Sequence, residues 1–145
     1  MDPHDPPLPN PLETIRIGAS DVDGEHEVQI RLLTAFVDAI AEGRAREERD
    51  EILDRLLDYS RLHFLSEELL MRFYSYGGYE AHLREHEQTL ERISALQERS
   101  RAGNAALSRR DAESLARGIV AHIRETDRAL GEFLGQRRSS HRSKI

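Results

Sequence analysis

The segment HFLSEELLM, from His63 to Met71, places a histidine and a glutamate four residues apart in an otherwise apolar stretch. On a helix this spacing puts His63 and Glu67 on one face, one turn apart. Burying either group alone is costly because each loses its hydrogen bonds to water. The pair therefore indicates either a surface ion pair or a site at which a further ligand satisfies both groups.

The other histidines favour the second interpretation. The sequence contains seven, of which His4 and His141 lie near the ends of the chain and five fall on the inward faces of predicted helices. One histidine on an apolar face is usually a hydrogen-bonded core residue, whereas five would leave the core with many polar atoms and few partners. A metal site satisfies all of them at once. The candidate ligands are His26, His63, Glu67, His82, His86 and His122.

A further candidate lies in the segment HIRETD, which begins at His122. Asp127 follows His122 by five residues, which corresponds to about 140° around an ideal helix. Either the helix is locally distorted there, or the aspartate reaches across from the flank. Glu125 fits ideal geometry better, so the spacing leaves the choice between Glu125 and Asp127 open.

The ligand types restrict the metal. The chain has no cysteine, so a metal site must use His, Asp and Glu. Zinc takes three or four ligands and would leave the others without a partner. Imidazole with carboxylate also suits iron, manganese and copper. Two six-coordinate ions sharing five imidazoles, two bridging carboxylates and an oxo or hydroxo bridge would keep one open position for a small ligand. The sequence has no Glu-x-x-His motif, which argues against a ferritin-like site.

Four amphipathic helices must position these side chains. Ser108 and Asp111 match a variant of the capping box and would open the fourth helix. Because the loops are short, consecutive helices must be antiparallel, and the sequence predicts an all-α, up-down-up-down four-helix bundle. The predicted bounds are Asp21 or Asp23 to about Gly43, about Arg46 to Tyr76, about Tyr79 to Arg101, and Ser108 to about Gly135.

The remainder of the chain predicts two tails around a single domain. All five prolines precede residue 12, which predicts an extended N-terminal arm over residues 1–14. We expect the bundle over residues 15–135 and a basic tail over residues 136–145. The net charge of −6 argues against binding to nucleic acid. No apolar run reaches the length of a membrane span, and the acidic, Pro-rich start is unlike a targeting signal. We therefore expect a monomeric, cytoplasmic protein with no membrane contact.

The motifs resemble the hemerythrins, especially the single-domain bacterial ones. The resemblance rests on VDGEH (Val22 to His26), HFLSEELLM, HLREH (His82 to His86) and HIRETD, within about residues 15–133. It implies a pair of non-heme iron ions with an oxo or hydroxo bridge, which binds dioxygen reversibly for transport, storage or sensing. It also favours Asp127 over Glu125. The implied ligands are His82, His86 and His122 on one iron, His26 and His63 on the other, and Glu67 and Asp127 bridging both.

The expected ligand pocket consists of Gln29, Phe64, Gly118 and Ile119. Phe64 and Ile119 keep the apolar character expected there, but the sequence departs from the hemerythrins at the other two positions. Gly118 stands where Trp is common, and Gln29 stands where a large aliphatic residue is common. One interpretation turns Gln29 to the bundle edge and makes Gly118 a close-packing residue. The other makes the pocket open and polar, which predicts faster autoxidation, or an enzyme that reduces peroxide or species derived from nitric oxide. A metal-free helical interaction module is the weakest alternative.

Overall fold

The computed structural model describes residues 20–103 and 106–142, with side chains over 26–103 and 106–137. Within these ranges the chain is helical and contains no strand. Its elements are α1 (Ser20–Ala41), α2 (Arg46–Phe73), α3 (Tyr79–Ala102), α4 (Arg109–Ala121), a π-helical segment (His122–Asp127) and α5 (Arg128–Arg142). The last three follow one another without a break and form the fourth rod of the bundle. The predicted all-α class is confirmed.

The four rods pack in a ring in which each contacts its neighbours in sequence. α1 packs against α2 and α4, and α3 packs against α2 and α4. Side chains near the start of α2 meet side chains near the end of α3, since Gln97 donates a hydrogen bond to Asp54 at 2.6 Å. Ser100 likewise donates to Asp50. These pairings make α2 and α3 antiparallel, and the predicted up-down-up-down topology is confirmed.

Two apolar clusters fill the inside of the bundle. We call the larger one the main cluster; it lies towards the start of α2 and includes Ile30, Leu33, Phe36, Leu53, Leu56, Ile93, Leu115 and Ile123. The smaller one lies at the end of α2 and consists of Met71, Leu130 and Leu134, with tyrosines and Phe133 packed against it. On α2 the residues between the two clusters include His63 and Glu67. The inward-facing polar residues therefore lie between two apolar layers.

Two glycines and a capping box define several helix ends where the sequence predicts them. Gly43 and Gly103 have φ angles of 66° and 68°, a left-handed conformation that glycine adopts without steric cost. The side chain of Ser108 accepts a hydrogen bond from the backbone of Asp111 at 3.1 Å. The carboxylate of Asp111 accepts one from the backbone of Ser108 at 2.9 Å. The predicted capping box is confirmed.

Other predicted ends were wrong. α1 already contains Asp21 and Asp23, so neither is its N-cap. α2 ends at Phe73 and not at Tyr76, because Ser75 has a φ angle of 52°, which takes the backbone out of the helical conformation. The fourth rod continues past Gly135 to Arg142. A glycine inside a helix costs only about 1 kcal/mol, and the glutamine and arginines that follow favour helix.

The predicted arm over residues 1–14 lies outside the described residues. In the part of the chain that is described, none of the helices combines the length and the apolar character required to cross a membrane.

Candidate metal centre

All seven side chains that the sequence analysis selects as ligands lie inside the bundle. Each of them is 5% exposed or less. They come from all four rods and meet in one layer between the two apolar clusters. The set consists of His26 on α1, His63 and Glu67 on α2, His82 and His86 on α3, and His122 and Asp127 on the fourth rod.

A local distortion of the fourth rod explains how His122 and Asp127 reach the same place. The chain forms a π-helical turn from His122 to Asp127, which is wider than an α-helical turn and aligns residues five apart. Nε2 of His122 consequently lies 3.0 Å from Oδ1 of Asp127. Glu125 is exposed on the outer face of the same turn. Of the two acidic residues left open by the spacing, only Asp127 faces the interior.

The five imidazoles form two separate groups. His82, His86 and His122 make a triangle, with ring centroids 4.4 to 5.1 Å apart. His26 and His63 form a pair with ring centroids 4.9 Å apart. This division into three and two matches the two sets of nitrogen ligands that the resemblance to hemerythrins implies.

Asp127 lies between the two groups. Its Oδ2 is 2.8 Å from Nε2 of His26, while its Oδ1 is 2.9 Å from Nε2 of His82. One carboxylate thus directs one oxygen to the histidine pair and the other oxygen to the histidine triangle.

Glu67 contacts both groups as well. Its Oε1 is 3.4 Å from Nε2 of His63 in the pair and 3.1 Å from Nε2 of His86 in the triangle. Both carboxylates therefore occupy positions from which they can bridge two ions, each of which would also contact one group of imidazoles.

Several of these polar atoms are buried without a hydrogen bond, which is rare in folded proteins. In the described part of the chain they include both carboxylate oxygens of Glu67, Oδ1 of Asp127 and Nε2 of His82, His86 and His122. Contacts such as the 2.9 Å approach of His82 to Asp127 lack the alignment of a hydrogen bond. The donor atoms lie within 4.8 Å of one another in two sets that share Glu67 and Asp127. Imidazole nitrogen and carboxylate oxygen suit iron, so the donor set fits a pair of iron ions.

The charges in this layer are strongly coupled. Burial alone would raise the pKa of Asp127, but the imidazoles of His122, His26 and His82 hold it well below its usual range. Burial raises the pKa of Glu67, and repulsion from Asp127 raises it further. Burial also disfavours a charged His82, yet its contacts with Asp127 and Glu67 raise its pKa to about 9. Without a metal ion, protons bound by Glu67 and His82 would therefore have to reduce the repulsion between the carboxylates of Glu67 and Asp127.

The pKa of His86 moves in the opposite direction. Burial, together with repulsion from the neighbouring His82 and His122, lowers the pKa of His86 to about 4. His86 is therefore neutral at physiological pH, which is the form that binds metal ions.

Two outer carboxylates, which the sequence analysis missed, contact the histidine triangle. Oε2 of Glu68 lies 3.1 Å from Nδ1 of His86. Oε1 of Glu85 lies 3.6 Å from Nδ1 of His122, and its Oε2 accepts a hydrogen bond from Thr126 at 2.7 Å. The Glu68 contact orients the His86 ring and leaves its Nε2 for a metal ion, whereas Glu85 is beyond hydrogen-bond distance of His122. The sequence carried no signal for these contacts, because each joins two different helices.

Apolar side chains close the layer next to the imidazoles. The Phe64 ring stacks on His86 with centroids 3.9 Å apart and lies 5.8 Å from both His63 and His122. Ile119, one turn before His122, is also buried. These two predicted pocket residues place apolar surface next to the centre.

Gln29 lies inside the bundle and not at its edge. It is 1% exposed, and its amide nitrogen donates a hydrogen bond to the hydroxyl of Ser60 at 3.0 Å. Its amide oxygen is buried without a hydrogen-bond partner. Since Gln29 follows His26 by three residues and Ser60 precedes His63 by three, this polar pair forms the layer next to the histidine pair.

Gly118 is half-buried and lies beneath an arginine. A Cβ atom on Gly118 would be 2.5 Å from Nη1 of Arg92, whose side chain comes from α3. The guanidinium of Arg92 thus fills the space that a larger residue would take. These surroundings favour the close-packing interpretation of Gly118.

The comparison with protein families gives one match. The model of the hemerythrin HHE cation-binding domain matches residues 18–134. The match covers all seven buried ligand candidates.

Individual relatives are similar over most of the chain. A bacteriohemerythrin of Methylococcus capsulatus is 30% identical over 112 residues, which cover 77% of this chain and 85% of that protein. A bacteriohemerythrin of Ralstonia nicotianae is 27% identical over 86% of this chain and 88% of that protein. The crystal structure of a wild-type hemerythrin superposes with a TM-score of 0.77 at 26% identity, and covers 88% of this chain and 97% of that one.

Proposed function

Because the chain belongs to the hemerythrin HHE cation-binding domain family, we propose that its buried centre holds two non-heme iron ions with an oxo or hydroxo bridge and binds dioxygen reversibly. The observation that carries the proposal is the sharing of Glu67 and Asp127 by two separate groups of imidazoles. A site for one ion would not need a carboxylate that directs its two oxygens to different groups.

The proposed ligands divide between the two ions as the imidazoles divide. His82, His86 and His122 would hold one iron, His26 and His63 would hold the other, and Glu67 and Asp127 would bridge them. When both ions are ferrous, the pair can supply two electrons to dioxygen and recover them. The histidine pair provides one imidazole fewer than the triangle, so the small ligand would bind on the side of His26 and His63.

The remaining residues of the layer orient the ligands and keep water out. Glu68 contacts Nδ1 of His86, which leaves Nε2 of that ring for the metal. Phe64 and Ile119 surround the imidazoles with apolar surface. A site without water slows the loss of the ligand by protonation, and so favours reversible binding over reaction.

An absorption spectrum of anaerobically reduced protein, recorded before and after the admission of air, tests the proposal. We expect a coloured form that appears with air and disappears when dioxygen is removed, with two iron ions per chain by metal analysis. Protein that contains no stoichiometric iron, or that never forms a reversible coloured species, would contradict it.

The His86→Ala variant tests the ligand set. We expect it to lose iron and to melt at a lower temperature, because the remaining imidazoles and carboxylates would face one another without a metal ion. Glu87→Ala, at the adjacent exposed position, is the matched control and should keep both properties. Full iron content in His86→Ala would remove His86 from the proposed site.

An enzyme that reduces peroxide or species derived from nitric oxide is the second candidate. It is favoured by the buried amide of Gln29, whose oxygen has no hydrogen-bond partner and could accept a hydrogen bond from a protonated ligand. Consumption of hydrogen peroxide by iron-loaded protein with a reducing co-substrate separates the two candidates. Sustained turnover without a lasting coloured form would favour the enzyme, whereas a stable reversible form without turnover would favour the binding protein.

A further inference from the structure

The outer face of α2 carries a row of exposed apolar side chains. Leu62, Leu65, Leu69 and Phe73 are 65%, 53%, 57% and 78% exposed. Their spacing of three, four and four residues places them on one side of the helix. We call this set the outer stripe. It lies on the face opposite His63 and Glu67, which point into the bundle.

The outer stripe is distinct from ordinary surface. It contains four of the five large apolar side chains that are exposed in the described part of the chain. The exposed residues that come earlier on the same face are charged. Glu51 and Arg55 form an ion pair at 2.8 Å, and Asp58 follows them. The face therefore changes from charged to apolar near Leu62. A contiguous apolar patch with a polar surround is typical of an interaction surface.

We propose that the outer stripe binds the same stripe of a second copy of this chain, with the two α2 helices antiparallel. The spacing of three, four and four residues is almost the same when it is taken from either end of the stripe. A two-fold axis between residues 67 and 68 would bring Leu62 opposite Phe73 of the second copy. The same axis would bring Leu65 to within one residue of Leu69 of the second copy, and each contact would occur twice. Such a self-complementary patch is what a two-fold dimer requires.

The size and charge of the outer stripe define the kind of dimer. Its side chains expose on the order of 400–500 Å² of apolar surface, which is the size of the largest apolar patch on a typical monomer, and such patches are often functional. A standard interface buries about 800 Å² on each partner, so polar residues at the rim must contribute the rest. Arg61 and Arg72 are exposed beside the stripe, and Arg72 turns away to donate a hydrogen bond to the Tyr79 hydroxyl at 2.9 Å. We infer a reversible dimer with an apolar centre, in place of the monomer expected from the sequence.

Sedimentation of the iron-loaded protein over a range of concentrations tests the association. We expect a monomer–dimer equilibrium that salt does not weaken, because the centre of the interface carries no charge. Leu65→Glu should weaken it at least tenfold, since the new carboxylate would face Leu69 of the second copy. Gln88→Glu on α3 adds the same charge at an exposed position outside the stripe and should have no effect. Monomer at every concentration, or equal behaviour of the two variants, would overturn the proposal.

Cross-linking tests the direction of the helices. The chain contains no cysteine, so introduced thiols react only with each other. A mixture of Leu62→Cys and Phe73→Cys should form a disulfide between the two variants, whereas Leu62→Cys alone should not. In the antiparallel dimer the two copies of residue 62 would lie about 16 Å apart, which is the length of eleven helical residues. This distance is beyond the reach of a disulfide. A disulfide in Leu62→Cys alone would indicate parallel helices and would overturn the antiparallel arrangement. Unchanged iron content in every variant excludes misfolding as the cause.

Discussion

The histidine layer and the main cluster occupy adjacent lengths of the same four rods, but they contribute to stability in opposite ways. In the main cluster, Phe36, Leu53 and Leu56 are fully buried. Their side chains are apolar, so they require no hydrogen-bond partner or ligand in the interior. In the histidine layer, buried nitrogen and oxygen atoms lack hydrogen bonds, and each such atom costs about 1–3 kcal/mol. The comparison indicates that the apolar length of the bundle holds the rods together, and that the polar length would depend on the metal ions proposed for it.

Removal of iron is the strongest way to test this comparison. We expect the metal-free protein to lose about 4 kcal/mol of stability for each of the two proposed iron ions, relative to protein with free iron a thousandfold above the Kd of each site. Hydrogen exchange should accelerate around His63, His86 and His122, while amides around Leu53 and Leu56 stay protected. Uniform acceleration along all four rods would show that the two lengths are not independent.

The Leu56→Ala variant tests the other side of the comparison. Leu56 is fully buried in the main cluster, so truncation should lower the free energy of unfolding by roughly 3 kcal/mol. We expect the same loss with and without iron, and an unchanged iron content, because Leu56 belongs to the main cluster and lies two helical turns before His63. Arg55→Ala, at the adjacent exposed position, is the control. A selective loss of iron in Leu56→Ala would connect the two layers.

The Glu68→Gln variant tests the outer carboxylate of the histidine triangle. The substitution keeps the size of the side chain near Nδ1 of His86 but removes the charge. We expect about a tenfold or greater loss of iron affinity, measured as faster removal of iron by a chelator. Glu87→Gln controls for the change in net charge. If Glu68→Gln released iron no faster than this control, the charge on Glu68 would have no role.

Replacing both members of the buried polar pair tests whether that pair serves stability. In the double variant Gln29→Leu, Ser60→Ala, the unpartnered amide oxygen is removed together with the hydrogen bond from the amide nitrogen to the Ser60 hydroxyl. We expect the metal-free protein to become more stable by about 1 kcal/mol, and the lifetime of the oxygenated form to change. A loss of stability in denaturant titrations would mean that the pair is structural.

The pH dependence of the stability of the metal-free protein should show the smallest of these effects. The folded-state pKa of His82 is raised to about 9 from a usual value of 6.5. Its contribution to stability is therefore fully present below pH 6.5 and is lost as the pH rises towards 9. The raised pKa values of Glu67 and His122 act in the same direction. Iron-loaded protein should show no such loss in thermal melts, because the metal ions replace these protons.

Much of the fold follows from local patterns in the sequence. The spacing of apolar residues predicts four helices, and the capping box at Ser108 and Asp111 needs only residues three apart. The predicted ends failed where a local signal was weak. Ser75 adopts a left-handed conformation although it is not a glycine, and Gly135 lies in a helix that continues past it. Neither residue type determines its conformation alone, because the energy differences are about 1 kcal/mol.

The sequence by itself determined which side chains face the inside of the bundle, since helical periodicity depends only on spacing along the chain. It thereby selected five histidines and Glu67 as one inward-facing set. The spacing left Asp127 and Glu125 open and the resemblance to the hemerythrins favoured Asp127, but only the tertiary structure has the π-helical turn that points Asp127 inward and leaves Glu125 exposed. It also decided that Glu68 contacts His86, that Arg92 covers Gly118, and that Gln29 points inward to Ser60. Each of these contacts joins two helices, and the relative position of two helices is not encoded in the spacing within either one.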